Sequence, residues 1–170
     1  MHEKPLVVVM GVSGSGKTTI GTALAEELGV PFIDGDDLHP QANVDKMHAG
    51  HPLTDEDRWP WLARIGSALH DAEDEGLVIA CSALKRSYRD AILGEEPRTV
   101  FIHLTAPQTL IADRLEHRNG HFMPPELLES QFDTLEPLDT DEPGAAVDVG
   151  DDIANVVSSS ADAVRALQRR

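Results

Sequence analysis

The chain has 170 residues, 41% of them apolar, enough for one domain with a hydrophobic core that needs no disulfide or metal staple. Its 14 basic residues face 30 acidic ones, a formal charge of −16 that repels nucleic acid and anionic membranes. Cys81 is the only cysteine, which excludes an intrachain disulfide, and no apolar run approaches the roughly 18 residues of a membrane span. Met1-His2-Glu3-Lys4 leads straight into an apolar run without the pattern of a signal peptide, so a cytoplasmic protein is expected.

In chain order, Leu6–Met10 reads as a strand buried on both faces. A glycine-rich turn follows, then a helix marked by Ile20, Leu24 and Leu28 and stopped by Gly29. Pro31-Phe32-Ile33 predicts a second strand ending at Asp34. Leu77–Cys81 predicts a third, Thr99–Leu104 a fourth and Ala145–Val149 a weaker fifth. Leu62, Ile65 and Leu69 mark one intervening helix. Leu110, Ile111 and Leu115 mark another, after the capping-box spacing of Thr105 to Gln108, and Ile153 to Leu167 mark the last. Strands alternating with helices predict an α/β fold, a parallel sheet with helices on both faces, over a single domain 1–170. Residues 36–60 and 118–144 fit the sheet poorly and read as functional loops or a lid.

Gly11-Val12-Ser13-Gly14-Ser15-Gly16-Lys17-Thr18 is a complete P-loop pattern between an apolar strand and an amphipathic helix. Its glycines let successive backbone N–H groups of Gly11, Ser13, Gly14, Ser15 and Gly16 point at phosphate oxygens. The start of the helix, through Thr18 and Thr19, adds favourable potential for anions. Lys17 can reach the β- and γ-phosphates of ATP, and the Thr18 hydroxyl can sit on Mg²⁺. The pattern specifies nucleotide binding but not which reaction follows.

Asp34-Gly35-Asp36-Asp37 lies at the carboxyl end of the second strand, where open α/β sheets collect their ligands. These carboxylates can bind Mg²⁺ through water, orient a hydroxyl or accept its proton. The third strand ends in Cys81-Ser82 rather than an aspartate, so the Asp34/Asp36 pair is the natural source of acid for the metal site. No Lys or Arg occurs between Arg118 and Arg165, so phosphate contacts are expected from earlier cations, backbone amides or His121. Arg58, Lys85 and Arg86 suit an acidic acceptor, since guanidinium and ammonium groups pair with carboxylates. Arg89 fits a solvated surface charge better. Arg114 and Arg118, one helical turn apart, point to the nucleotide side, and Trp59 and Trp61 read as packing residues.

Met10–Thr19, Asp34–Pro40, Pro52–Leu62, Cys81–Asp90, Arg118–Pro124 and Ser130–Pro137 together resemble bacterial gluconokinase, within the shikimate-kinase and nucleoside-monophosphate-kinase group. The likeness runs from about residue 6 to 149. It implies a P-loop NTPase fold with a five-stranded parallel sheet, a substrate-binding region at about 36–75 and a lid at about 118–137. It also implies transfer of phosphate from ATP to D-gluconate with Mg²⁺, giving 6-phosphogluconate for the pentose phosphate pathway, and a homodimer. By position, Asp34, Asp36, Arg58, Lys85 and Arg86 would face the substrate and Arg114 and Arg118 the nucleotide, with His121 and Gln131 in or beside the lid. Lys17 and Asp36 would carry the chemistry, and Thr18 and Asp36 the metal. A shikimate-type kinase and an ATP-binding switch are the alternative readings.

Overall fold

A computed structural model describes residues 4–12, 14–116, 125–150 and 152–168. Five strands form one parallel sheet: β1 (Leu6–Met10), β2 (Phe32–Asp34), β3 (Leu77–Ala80), β4 (Val100–Thr105) and β5 (Gly144–Asp148), in the order β2-β3-β1-β4-β5. The helices are α1 (Lys17–Leu28), α2 (Gln41–His48), α3 (Asp55–Asp71), α4 (Arg86–Glu95), α5 (Gln108–Glu116), α6 (Pro125–Thr134) and α7 (Ile153–Gln168). All five strands read from the sequence form, within a residue or so of the expected limits.

The alternation of β1 explains the layers. Val7 and Val9 face α1 and α7, joining Leu24, Ile102 and Val164 in one core cluster. Leu6, Val8 and Met10 face α3 and α4, joining Leu62, Ile65, Ile79 and Ile92 in the other. Each such side chain, taken out of water, contributes roughly 1.5–3 kcal/mol. Gly29 caps α1 in the left-handed conformation that its sequence position predicts (φ 72°).

Four expectations need correction. Residues 36–60 are not an irregular loop. They form a 3-10 turn (Gly35–Leu38), α2 and the start of α3. The apolar signal is weak because α2 buries the polar Asn43, whose amide donates to the Asp57 carbonyl at 2.8 Å. A capping box at Thr54 and Asp57 opens α3. Within 118–144, α6 is helical. Two prolines precede its apolar positions, and Pro suits the first helical position, where no N–H is needed. Thr105 belongs to β4 and its hydroxyl donates to Val147 O at 3.4 Å, while α5 starts at Gln108.

The fourth correction is Arg89, which is fully buried rather than solvated. Its guanidinium donates to both oxygens of the buried Glu142 at 2.7 and 3.0 Å and to the Ala83 carbonyl at 2.9 Å. A charge so deep survives only with its partner. Glu142→Gln should lower the unfolding free energy by about 3 kcal/mol, because it strands the guanidinium. Urea denaturation checks this, and a midpoint like that of the wild type would mean the pair is dispensable.

Candidate active site

The strand order reverses direction at β1, so its carboxyl end opens the crevice where α/β proteins bind ligands. The P-loop fills that point. A Cβ at Gly11 would lie 2.9 Å from both Leu104 O and Ser15 Oγ, so only glycine lets the loop pass here. The Gly11 N–H donates to Ser82 O at 3.2 Å, tying the loop to the segment after β3. Ser15 is buried, and among the described residues its hydroxyl has no hydrogen-bond partner, a spare donor in the loop that would receive phosphate oxygens. Lys17 Nζ folds back over the loop, donating to Gly11 O at 3.0 Å and Val12 O at 3.1 Å.

Beside the cradle lies a cleft of about 390 Å³ whose lining includes Gly14, Ser15, Gly16, Thr19, Arg114 and Ile153. Arg114 is fixed there by donating to Val149 O at 2.7 Å. A nucleotide with its phosphates on the loop would lay its base and sugar along this cleft.

On the other side, β2 delivers the acidic turn. A Cβ at Gly35 would lie 2.5 Å from Ala80 O, so this position too must be glycine for the turn to hug β3. Asp34 accepts from the Asp36 N–H at 3.0 Å and caps the 3-10 turn, so its carboxylate shapes the turn. Asp36 projects from the capped turn, and the charge of Lys17 bears on it. Loss of water around its carboxyl, then the Asp34 charge, pushes its pKa up. Nearby His39 and Lys17 pull the other way. His39 stacks on Trp61, with ring centroids 4.1 Å apart, and Trp61 donates to Gly35 O at 2.7 Å. Burial lowers the His39 pKa, against the opposite pull of Asp36, so the ring is neutral at pH 7. The exposed Thr18 hydroxyl and the Asp36 carboxylate are hard oxygen donors suited to Mg²⁺, which takes one or two carboxylates plus phosphate oxygens and water. Among the described residues, the one compact His/carboxylate group is His70, Glu73 and Glu96, at the other end of α3. Arg98 lies 3.9 Å from both of its carboxylates.

Arg58 and Lys85 come together although 27 positions separate them. Both lie over the Tyr88 ring at 5.5 Å, and both approach the Asp55 carboxylate, at 3.9 and 3.5 Å. The backbone delivers Lys85 through a strained step: Ala83 has φ 43°, and the buried Arg89 holds its carbonyl. Arg86 does not join them. Its guanidinium is tied to Asp141 at 2.8 Å twice and to Asp139 at 2.8 Å. Gln131 lies on α6, whose Leu128 packs with Val12, Leu84 and Ile111. Ser13, Arg118 and His121 lie outside the described residues. The sequence reading missed Asp55, Tyr88 and His39 as site residues. Asp55 stands three residues before Arg58 and Tyr88 three after Lys85, the spacing of one helical turn that could have marked them.

A P-loop at the switch point of a five-stranded parallel sheet, with a cleft on one side and groups of acids and cations on the other, matches the small-molecule kinases of the P-loop class. The shikimate kinase family model matches residues 13–136. Over 166 residues the chain is 46% identical to the thermosensitive gluconokinase of Escherichia coli K12, covering 95% of this chain and 88% of that one. It is 52% identical over 146 residues to the gluconokinase of Gluconobacter oxydans 621H, covering 84% and 82%. A solved gluconokinase from Sinorhizobium meliloti 1021 superposes with a TM-score of 0.88 at 47% identity, over 98% of this chain and 94% of that one. The chain belongs to the gluconokinase family, within the shikimate-kinase-like P-loop kinases.

Proposed function

We propose that this chain transfers the γ-phosphate of ATP to the terminal hydroxyl of D-gluconate, giving ADP and 6-phospho-D-gluconate for the pentose phosphate pathway. The observation that carries this is the convergence of Arg58 and Lys85 on one spot, near the acidic turn beside the P-loop. The charge of Lys17 bears on Asp36, and Arg58 and Lys85 meet over the Tyr88 ring, two cations suited to a carboxylate. The charge of Arg58 also bears on His39, which stands next to the acidic turn, so the cations and the acids are neighbours.

Gluconate binds by its carboxylate to Arg58 and Lys85, which sets its far end toward Asp36. Asp36 accepts the proton of the attacking hydroxyl as the new O–P bond forms and the bond to the leaving oxygen of ADP breaks. Lys17 and the P-loop amides hold the charge that builds on the phosphoryl oxygens. Thr18 and Asp36 would hold Mg²⁺, which would supply charge neutralisation to the phosphates of ATP. Asp34 keeps the turn in shape for the acceptor. Arg114, with Arg118, serves the nucleotide. His121 and Gln131 belong to a lid over about 118–137 that closes a single-domain enzyme, with 36–75 as its acceptor region. Leu128 in that lid packs against both the P-loop's Val12 and the acceptor-side Leu84, which supports this role. Among the described residues no helix is long and apolar enough to cross a membrane. We read the protein as a cytoplasmic homodimer, and sedimentation tests the dimer.

A coupled ADP-release assay over a panel of sugar acids and shikimate tests the substrate. Gluconate should dominate, and slow turnover indifferent to every acid would instead indicate a nucleotide switch. Arg58→Ala and Lys85→Ala should each raise the KM for gluconate about tenfold or more, and that for ATP little, since each removes a charged contact to the acceptor. If ATP suffers most, both residues move to the nucleotide side.

A further inference from the structure

Arg58 and Lys85 are not a bare cationic pair. The Asp55 carboxylate stands between them. It accepts from the Tyr88 hydroxyl at 2.6 Å and lies 3.5 Å from Lys85 Nζ and 3.9 Å from Arg58 Nη1. Arg58 Nη1 also donates to Leu53 O at 2.9 Å and to the Tyr88 hydroxyl at 3.3 Å. Four side chains from two helices and the loop before the second thus form one unit. It holds two cations, one carboxylate and a phenol, with a single net positive charge. Every member keeps some contact with solvent except Tyr88, which is buried beneath the two cations.

We propose that Asp55 sets the charge selectivity of the acceptor end, so that the site takes singly charged acids and disfavours doubly charged ones. This rests on the acceptor-side reading of Arg58 and Lys85 given above. Two cations alone would bind a dianion better than a monocarboxylate, because each added charge gains a further Coulomb attraction. With Asp55 present, one cationic charge is already satisfied. A monocarboxylate then completes the balance, and a second negative charge meets Asp55. Tyr88 fixes the carboxylate by hydrogen bond, so the balance holds in one geometry. The Tyr88 bond, with the charges of Lys85 and Arg58, keeps the Asp55 pKa below the ordinary carboxylate range. Burial and the bond to Asp55 push the phenol up to about 12, so at neutral pH Asp55 stays an anion and Tyr88 stays a donor.

The test compares a compact dianion with gluconate. With the full-length enzyme and saturating ATP, the Ki of malonate against gluconate is measured and divided by the KM for gluconate. In Asp55→Asn this ratio should fall about tenfold, the effect of one unit charge at a partly exposed site. Asp55→Ser removes the same charge and should shift the ratio alike, which guards against an effect peculiar to asparagine. Tyr88→Phe keeps the charge while loosening the geometry. It should raise the KM for gluconate and the Ki of malonate together, leaving the ratio in place. An unchanged ratio in both Asp55 variants, or an equal shift in Tyr88→Phe, overturns the inference while the acceptor assignment stands. If Arg58→Ala and Lys85→Ala leave the gluconate KM untouched, the acceptor assignment and this inference fall together.

Discussion

Lys17→Ala should abolish phosphoryl transfer, with kcat lower by roughly 10³-fold or more and the fold intact. The magnitude follows from the cost of removing a cation that stabilises charge on a transferring phosphoryl group. The intact fold follows from where Lys17 sits. It is the first residue of α1, half-buried, its ammonium donates to the carbonyls of Gly11 and Val12, and it belongs to neither core cluster of the sheet. Those two carbonyls belong to the loop itself, so with ATP bound the ammonium can exchange them for phosphate oxygens without disturbing the sheet. Single-turnover assays with ATP and gluconate read the chemistry, and circular dichroism reads the fold. A folded variant with near wild-type turnover would falsify the P-loop assignment.

The sheet was legible because burial on both faces demands near-continuous apolar runs, and Leu6–Met10, Leu77–Ala80 and Val100–Leu104 supply them, with His103 the one polar residue among them. The P-loop was legible because its backbone geometry restricts residue identity at fixed spacing. What escaped was held by polar contacts between residues far apart in the chain. Arg89 reads as a surface charge until Glu142, 53 positions on, is brought against it. The helix α2 carries little apolar periodicity because Asn43 and the Lys46–Asp57 pair, 2.5 Å apart, tie it to α3. Arg86 and Lys85 are neighbours in sequence, yet one turns to Asp139 and Asp141 and the other to Asp55. Only the start of α4, at Arg86, separates their directions, and no count of basic residues reveals that.

The remaining large effect concerns Asp36. Asp36→Asn should cut kcat by about 10² to 10⁴, the usual cost of losing a general base. The side chain keeps its size, so ATP binding should change little. The pH profile gives the sharper reading. Loss of water and the Asp34 charge raise the Asp36 pKa above that of a free carboxyl. The base works only when deprotonated, so kcat should fall on the acid side through a pKa higher than 3.8, and the variant should lose that limb. Asp34 makes the control. Its carboxylate caps the turn by accepting from the Asp36 N–H, so Asp34→Asn, which retains an amide oxygen as acceptor, should weaken turnover less. A titration with Mg²⁺ and Mn²⁺ separates proton transfer from metal binding. If Asp36 accepts the proton, its variant stays slow at every metal concentration. If it chiefly holds the ion through water, raising Mg²⁺ or supplying Mn²⁺ recovers part of the rate. Normal turnover in both variants would remove the acidic turn from the chemistry. The acceptor hydroxyl would then have to lose its proton to solvent or to the phosphate itself, because His39, the neutral imidazole beside Asp36, is stacked face-on against Trp61 and its Nδ1 already meets Asn43 at 3.2 Å.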